Sequence, residues 1–326
     1  MPTWGEILKE IQAYLEQEKK PPFDYIRRKY LLALQQHTNR NTILYATSWT
    51  QPKNIPTPSH LISITDEDIQ GFMEVVSGLR SKELDIIIHS PGGSAEATEA
   101  LVSYLRSKFD DIRVIIPYGA MSAATMLACS TNDIIMGAHS FIGPIDPQMI
   151  VNTRLGLQAI PAQAIIDQFE KAKQECINPN NLGVWIPILE QYGPALIVQC
   201  DNAIKLSKDL VTEWLEKYMF AGEENAKSKS EYIASKLADH SYFKTHNRHI
   251  GREYARELGL RIVDLENNQI LQDKVLSVFH ATTFTFDATG ATKIIENHVG
   301  KAYIKSSQQI NIIAKQPTEE IQKGTQ

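Results

Sequence analysis

Ser122 and the pair Gly92-Gly93 are the residues of this 326-residue chain whose types and spacing could carry chemistry. Each follows a short apolar run. Ile86, Ile87 and Ile88 lead into Ser90-Pro91-Gly92-Gly93, and Val114, Ile115 and Ile116 lead into Gly119-Ala120-Met121-Ser122. Such runs, closed by turn residues, predict strands buried on both faces. Pro91 fixes φ and lacks an N–H, while the two glycines permit positive φ and close approach of another molecule. If the N–H groups of Gly92 and Gly93 face the opening above the strand ends, they can stabilise an oxyanion. Ser122, one strand further along, is the nearest small nucleophile, so the chemistry indicated is acyl transfer. A plain βα turn and an N-cap would explain either feature alone. Together they lie at the C-terminal ends of successive parallel strands, where open α/β sheets bind ligands.

The elements that must position these residues follow from local patterns. Asp85 to His89 reads as a strand, Ser94 as the N-cap of a helix carrying Leu101, Leu105 and Phe109, and Arg113 to Pro117 as the next strand. A helix of small residues starts at Ser122, and Asp133 to Met136 forms another strand. Gly143 to Gln148 then makes a loop stiffened by Pro144 and Pro147, a way to hold the Asp146 carboxylate in place.

Upstream, residues 1 to 20 and Phe23 to Gln36 read as amphipathic helices. The first is expected to dock on the body through Ile7, Ile11 and Leu15. The second presents Ile26, Tyr30, Leu31 and Leu34, with Arg27 and Arg28 pointing elsewhere. Thr42 to Ala46 is the first strand, Pro52 to Pro58 a loop, Ile62 to Ile64 a short strand, and Thr65 the cap of a helix with Asp66, Glu67 and Asp68 in its first turn. The repeated βα pattern predicts a parallel sheet with right-handed crossovers. Downstream, helices are expected from Pro161 to about Cys176 and from Pro194 to Phe220. A helical to α+β extension follows, with Gly259 at a helix C′ position and, from Ser306, a polar tail whose end is expected to be mobile. The expected segments are residues 1–40 (helical), 41–222 (catalytic), 223–305 (α+β) and 306–326 (tail).

Composition narrows the class. With 43% hydrophobic residues the chain can bury a sizeable core, and a net charge of −5 shows no nucleic-acid footprint. Cys129, Cys176 and Cys200 show no metal or redox spacing, which suits free thiols in a reducing cytoplasm. No apolar run approaches the ~20 residues that span a bilayer, so neither a membrane anchor nor a membrane partner is expected.

The stretch IIIHSPGGS, followed by GAMSAATMLACSTNDIIMGAHSFIGPIDPQ, resembles the ClpP/crotonase superfold and, more narrowly, the serine dehydrogenase proteinase family, which is related to SppA-like serine peptidases. FDYIRRKYLLALQQHTNRNTILYATSW, THNRHIGREYARELGLRIVDL and TKIIENHVGKAYI extend the resemblance from about Phe23 to Ile304. It implies an α/β fold with a ClpP/crotonase-like repeated core and parallel sheet. Gly92 and Gly93 would form the oxyanion hole and Ser122 would be the nucleophile of a cytosolic serine peptidase. The resemblance also implies peptide or protein substrates, a homo-oligomer that gates access by enclosure, an unfoldase or activating partner as a candidate companion, and no cofactor or metal.

Spacing does not name the base. The family's order of Ser, Asp and His, carried onto this chain, implies Ser122, Asp146 and His246. SppA-like enzymes use a lysine, for which Lys205, Lys171 and Lys173 are candidates, and a ClpP-like histidine would fall near His139. An i,i+4 ion pair with Asp201 would explain Lys205 without catalysis, and His246 and His249 lie in a polar loop where a solvated ring is ordinary. An extended peptide is expected to add as a strand at the edge beyond the Gly-Gly strand. Two other classes share the fold. A crotonase-like acyl-CoA hydratase or isomerase would use the same oxyanion hole, although Ser122 stands where that chemistry uses a glycine-rich turn. A non-catalytic oligomeric scaffold would keep the architecture without a working base.

Overall fold

The computed structural model describes residues 3–51 and 57–307. Its strands, in chain order, are β1 (Asn41–Thr47), β2 (Glu83–His89), β3 (Asp111–Ile116), β4 (Gly119–Ala120), β5 (Asp133–Met136) and β6 (Phe141–Ile142). They continue with β7 (Gln148–Thr153), β8 (Gly156–Pro161), β9 (Ile250–Gly251), β10 (Ile262–Asp264), β11 (Ala291–Asn297) and β12 (Ala302–Ser306). Seven make one sheet in the order β10-β5-β3-β2-β1-β11-β12. The strands from β10 to β1 run parallel, while β11 and β12 close the β1 side in antiparallel register.

Side chains alternate across this sheet, so one strand serves two cores. Ile86 and Ile88 pack with Phe72, Leu101 and Leu105 on one face, whereas Ile87 packs with Leu31, Leu34 and Val278 on the other. The first face is covered by the helices Asp68–Val76, Ala95–Lys108 and Ala123–Cys129 together with the second half of Leu196–Trp214. The second is covered by Phe23–Thr38 and Gln269–Ala288. Trp4–Glu18 docks on the body through Ile7 and Ile11, which meet Ala281 and Phe284, and leaves Leu15 exposed.

Several local expectations are corrected by long-range partners. Arg27 does not point away from the core: it is fully buried, bonded to Glu296 and, at 3.0 Å, to Thr285 Oγ1. Its charge is neutralised from the far end of the chain, which is what permits burial. Residues Ser59–Ile62 form a helical turn rather than leading a strand, and Ile64 makes only a single bridge, to Gly93. Thr65 does not cap the next helix, because the direction is reversed and Asp68 Oδ2 accepts the Thr65 N–H at 3.1 Å. The β7–β8 hairpin and the 20-residue Gln269–Ala288 helix also go beyond the patterns read above. Most of the expected loop at Pro52 to Pro58 and of the terminal tail lies outside the described residues.

Asp68 carries a second load. Lys293 of β11, fully buried, reaches it at 2.6 and 2.7 Å and the Ser63 carbonyl at 2.7 Å, and Tyr45 donates its hydroxyl to Asp68 at 2.8 Å. This cluster holds the Ser63-Ile64-Thr65 segment against the sheet. Removing one partner strands a buried charge, so Lys293→Met is expected to cost about 3–5 kcal/mol in urea unfolding, with much of it recovered in the Lys293→Met/Asp68→Asn double variant. A loss below ~1 kcal/mol for the single variant would contradict this role.

Candidate active site

A second, smaller sheet assembles the candidate residues. β6 lies between β4 and β9, with Ala120 paired to Ile142 in parallel and Ile142 paired to Ile250 in antiparallel register. Moving forward from Ala120 reaches Ser122, and moving forward from Ile142 reaches Asp146. Because β9 is antiparallel, moving backward from Ile250 leads the same way and reaches His246. All three therefore leave the same end of this sheet.

Ser122 sits at the N-cap position of the Ala123–Cys129 helix, but its hydroxyl makes no capping bond. Its backbone has φ 51° and ψ −120°, a region that L side chains rarely adopt and that costs about 1–3 kcal/mol. Packing enforces this turn. A Cβ on Gly92, whose φ is +97°, would lie 2.5 Å from the Met121 carbonyl oxygen and 2.7 Å from Ser122 Cβ. Only glycine allows the two turns to meet so closely.

The Gly-Gly turn is bridged on both sides. Ile64 N donates to the Gly92 carbonyl at 2.7 Å and Ser94 N to the Ile64 carbonyl at 3.0 Å, while Met121 N donates to the Ser90 carbonyl at 2.9 Å. A Cβ on Gly93 would collide with the Ile64 backbone. Since Gly92 O and Ser94 N face Ile64, the Gly93 N–H between them faces the opposite way, towards the Met121-Ser122 side. The Gly92 N–H is committed to Ser90 Oγ at 3.1 Å, so of the expected donor pair Gly93 keeps an N–H without an acceptor among the described residues. Nearby is the N–H of Ala123, whose nitrogen lies 2.8 Å from the position of a Gly92 Cβ. As the first helical residue it lacks an intrahelical acceptor, and neither it nor Gly93 N–H has a protein acceptor among the described residues. On this side of the turn the backbone rungs are therefore already filled by Ile64.

Asp146 is buried and accepts two imidazoles. His246 Nδ1 approaches Oδ1 at 2.8 Å and His240 Nδ1 approaches Oδ2 at 2.8 Å. A carboxylate only accepts, so each Nδ1 carries a proton, and the tautomer this selects is the one in which Nε2 can serve as an acceptor. His240 was not anticipated; the signal was Asp239, an N-cap that opens the short His240–Phe243 helix just ahead of the polar loop.

None of the other candidates bonds Asp146 among the described residues. Lys171 and Lys173 pair with Glu175 and Glu170 on an exposed helix face. Lys205 is exposed, with no ion pair to Asp201 among the described residues. His139 is exposed and bonds the Pro117 carbonyl at 2.9 Å, and His249 stacks on Phe141 with ring centroids 3.6 Å apart. A cavity of about 410 Å³ lined by Arg40 and Arg113 opens at the N-terminal ends of the strands, away from Ser122, and both guanidiniums are spent on Asp85.

The match to a family model, the ClpP-like SDH-type serine proteinases, spans residues 55–275, and the chain belongs to that family. It is 31% identical over 201 residues to one uncharacterised protein of Methanocaldococcus jannaschii and 30% identical over 204 residues to another. Each alignment covers 61% of this chain, and the chain spans 60% and 59% of those relatives. Among solved structures it is similar to a mutant of the 1510-N membrane-bound stomatin-specific protease, at 16% identity and a TM-score of 0.39 over 65% of this chain and 79% of that one. It is also similar to a ClpP1 mutant from Listeria monocytogenes, at 13% identity and a TM-score of 0.35 over 73% of this chain and 99% of that one.

His89, at the end of β2 ahead of the Gly-Gly turn, is enclosed by Trp49 and Phe279, and burial pulls its imidazole from 6.5 down to about 3. The unfolded chain thus binds a proton that the folded chain refuses between these values, and stability is lost as pH falls through that window. From pH 6.5 to about pH 4, the parent is expected to lose on the order of 3 kcal/mol more than His89→Phe in urea unfolding. Equal losses would contradict the buried neutral ring.

Proposed function

We propose that the protein is a serine peptidase in which Ser122 is the nucleophile, His246 the base, and Asp146 the residue that orients it. The observation that carries this reading is the His246 Nδ1 to Asp146 contact of 2.8 Å, made off the same end of the small sheet as Ser122. Membership of a serine proteinase family supports it.

Ser122 Oγ attacks the substrate carbonyl carbon while its proton passes to His246 Nε2. The carbonyl oxygen becomes an oxyanion held by the N–H groups of Gly93 and Ala123. Collapse of the intermediate breaks the C–N bond, and the leaving amine takes the proton from His246. Water then attacks the acyl carbon, giving a proton to His246; collapse breaks the C–Oγ bond, Ser122 Oγ takes that proton back, and the carboxylic acid product leaves. Gly92 contributes by close packing and by its bond to Ser90. The exposure of Lys205 argues against its use as the base.

Substrates on this reading are peptides or proteins, and the enzyme acts as a cytoplasmic homo-oligomer. Assembly is supported by the lobe built from β7, β8 and the helices after them, where Ile150, Leu155 and Leu157 are 68%, 88% and 74% exposed. The location is supported by the absence, among the described residues, of any helix long and apolar enough to cross a membrane, and by three free cysteines.

A fluorophosphonate probe with a fluorogenic peptide tests the assignment. The probe should label Ser122, and Ser122→Ala should abolish labelling and hydrolysis. His246→Ala should lower kcat by about 10²–10⁴-fold, with Lys205→Ala close to the parent. Labelling that survives Ser122→Ala, or that depends on Lys205 and not His246, would overturn it.

A further inference from the structure

The geometry points to His240 as a positioning residue for the Asp146–His246 pair, an inference that rests on the serine peptidase reading. Asp146 is buried, so a carboxylate oxygen without a donor there is costly. Its two oxygens are divided: Oδ1 takes His246 Nδ1 and Oδ2 takes His240 Nδ1, each at 2.8 Å. With one donor the carboxylate could turn about its Cβ–Cγ bond and offer either oxygen to His246. With two donors from opposite flanks, rotation breaks one bond or both.

The chain is laid out to supply both flanks. Ile142 is paired with Ile250, and Ile145 N donates to the Leu237 carbonyl at 2.9 Å, so both ends of the 237–250 segment are tied to the 142–145 stretch that leads into Asp146. His240 sits just inside one tie and His246 just inside the other. His240 is further fixed by the Asp239 cap, whose side chain accepts the Tyr242 N–H at 2.9 Å. His240 thus acts through Asp146. It fixes which oxygen His246 meets and keeps the His246 proton on Nδ1, leaving Nε2 free to accept.

The test combines kinetics with long-range ¹H–¹⁵N spectra of imidazole-labelled full-length protein. In His240→Ala, kcat should fall about 10- to 100-fold with KM little changed, and His246 should shift from the Nδ1–H form to a mixture of tautomers. His240→Asn, whose amide N–H can occupy the place of Nδ1, should restore both within a few-fold, with circular dichroism confirming the fold of each variant. An unchanged His246 tautomer and kcat in His240→Ala would overturn the inference. So would loss as complete as in His246→Ala with no rescue by His240→Asn, which would make His240 the base. If the parent shows no reactive Ser122, the peptidase reading fails; the tautomer response still decides whether His240 positions His246.

Discussion

Ile142 is hydrogen-bonded on both sides, to Ala120 in parallel and to Ile250 in antiparallel register, and the candidate site follows from that double pairing. Strands this short hold register weakly by themselves, so anchors on each side matter. Thr125 Oγ1 donates to the Ala120 carbonyl and accepts from Gly143 N–H, which ties the helix behind Ser122 to the strand end ahead of Asp146. Ser140 Oγ donates to the Ile116 carbonyl, joining the small sheet to the large one. Phe141 stacks on His249, next to Ile250. A slip of one residue would turn alternate side chains to the opposite face and separate Asp146 from both histidines.

The second constraint is the close approach of the Gly-Gly turn to the Ser122 turn. An uncommon backbone conformation persists only where its surroundings determine it. Here Gly92 packs against Met121 and Ser122, Ile64 bridges the turn from the other side, and the buried Lys293–Asp68 cluster holds the Ile64 segment. Lys293 comes from β11, near the far end of the chain. The terminal strands therefore do more than widen the sheet: they brace the wall opposite Ser122.

Much of this architecture was legible because it rests on local chemistry. Apolar runs of the length of Asp85 to His89, with turn residues behind them, leave few choices besides buried strands, and the same logic places Ser94 and Ser122 at helix starts. Asp146 and His246 came together through family resemblance, since no pattern of spacing links residues that meet across a sheet. What stayed hidden depends on tertiary partners. Arg27 looks like a surface charge until Glu296 arrives from β11. Gly92 looks like an oxyanion donor until Ser90 Oγ takes its N–H, and Ala123, the second donor of the proposed reading, offers no signal because the group concerned is its backbone N–H. The β7–β8 hairpin has modest alternation and an exposed surface, so its pattern is weak.

On the proposed reading, one register and one glycine turn place Gly93 N–H, Ala123 N–H and His246 around Ser122 Oγ. A crystal structure of the protein after reaction with a fluorophosphonate tests this most directly. Phosphorus is expected on Ser122 Oγ, with a phosphoryl oxygen accepting from Gly93 and Ala123 N–H, and His246 Nε2 facing Oγ with Nδ1 on Asp146. A phosphoryl oxygen turned to solvent, or a lysine in the place of His246, would contradict it.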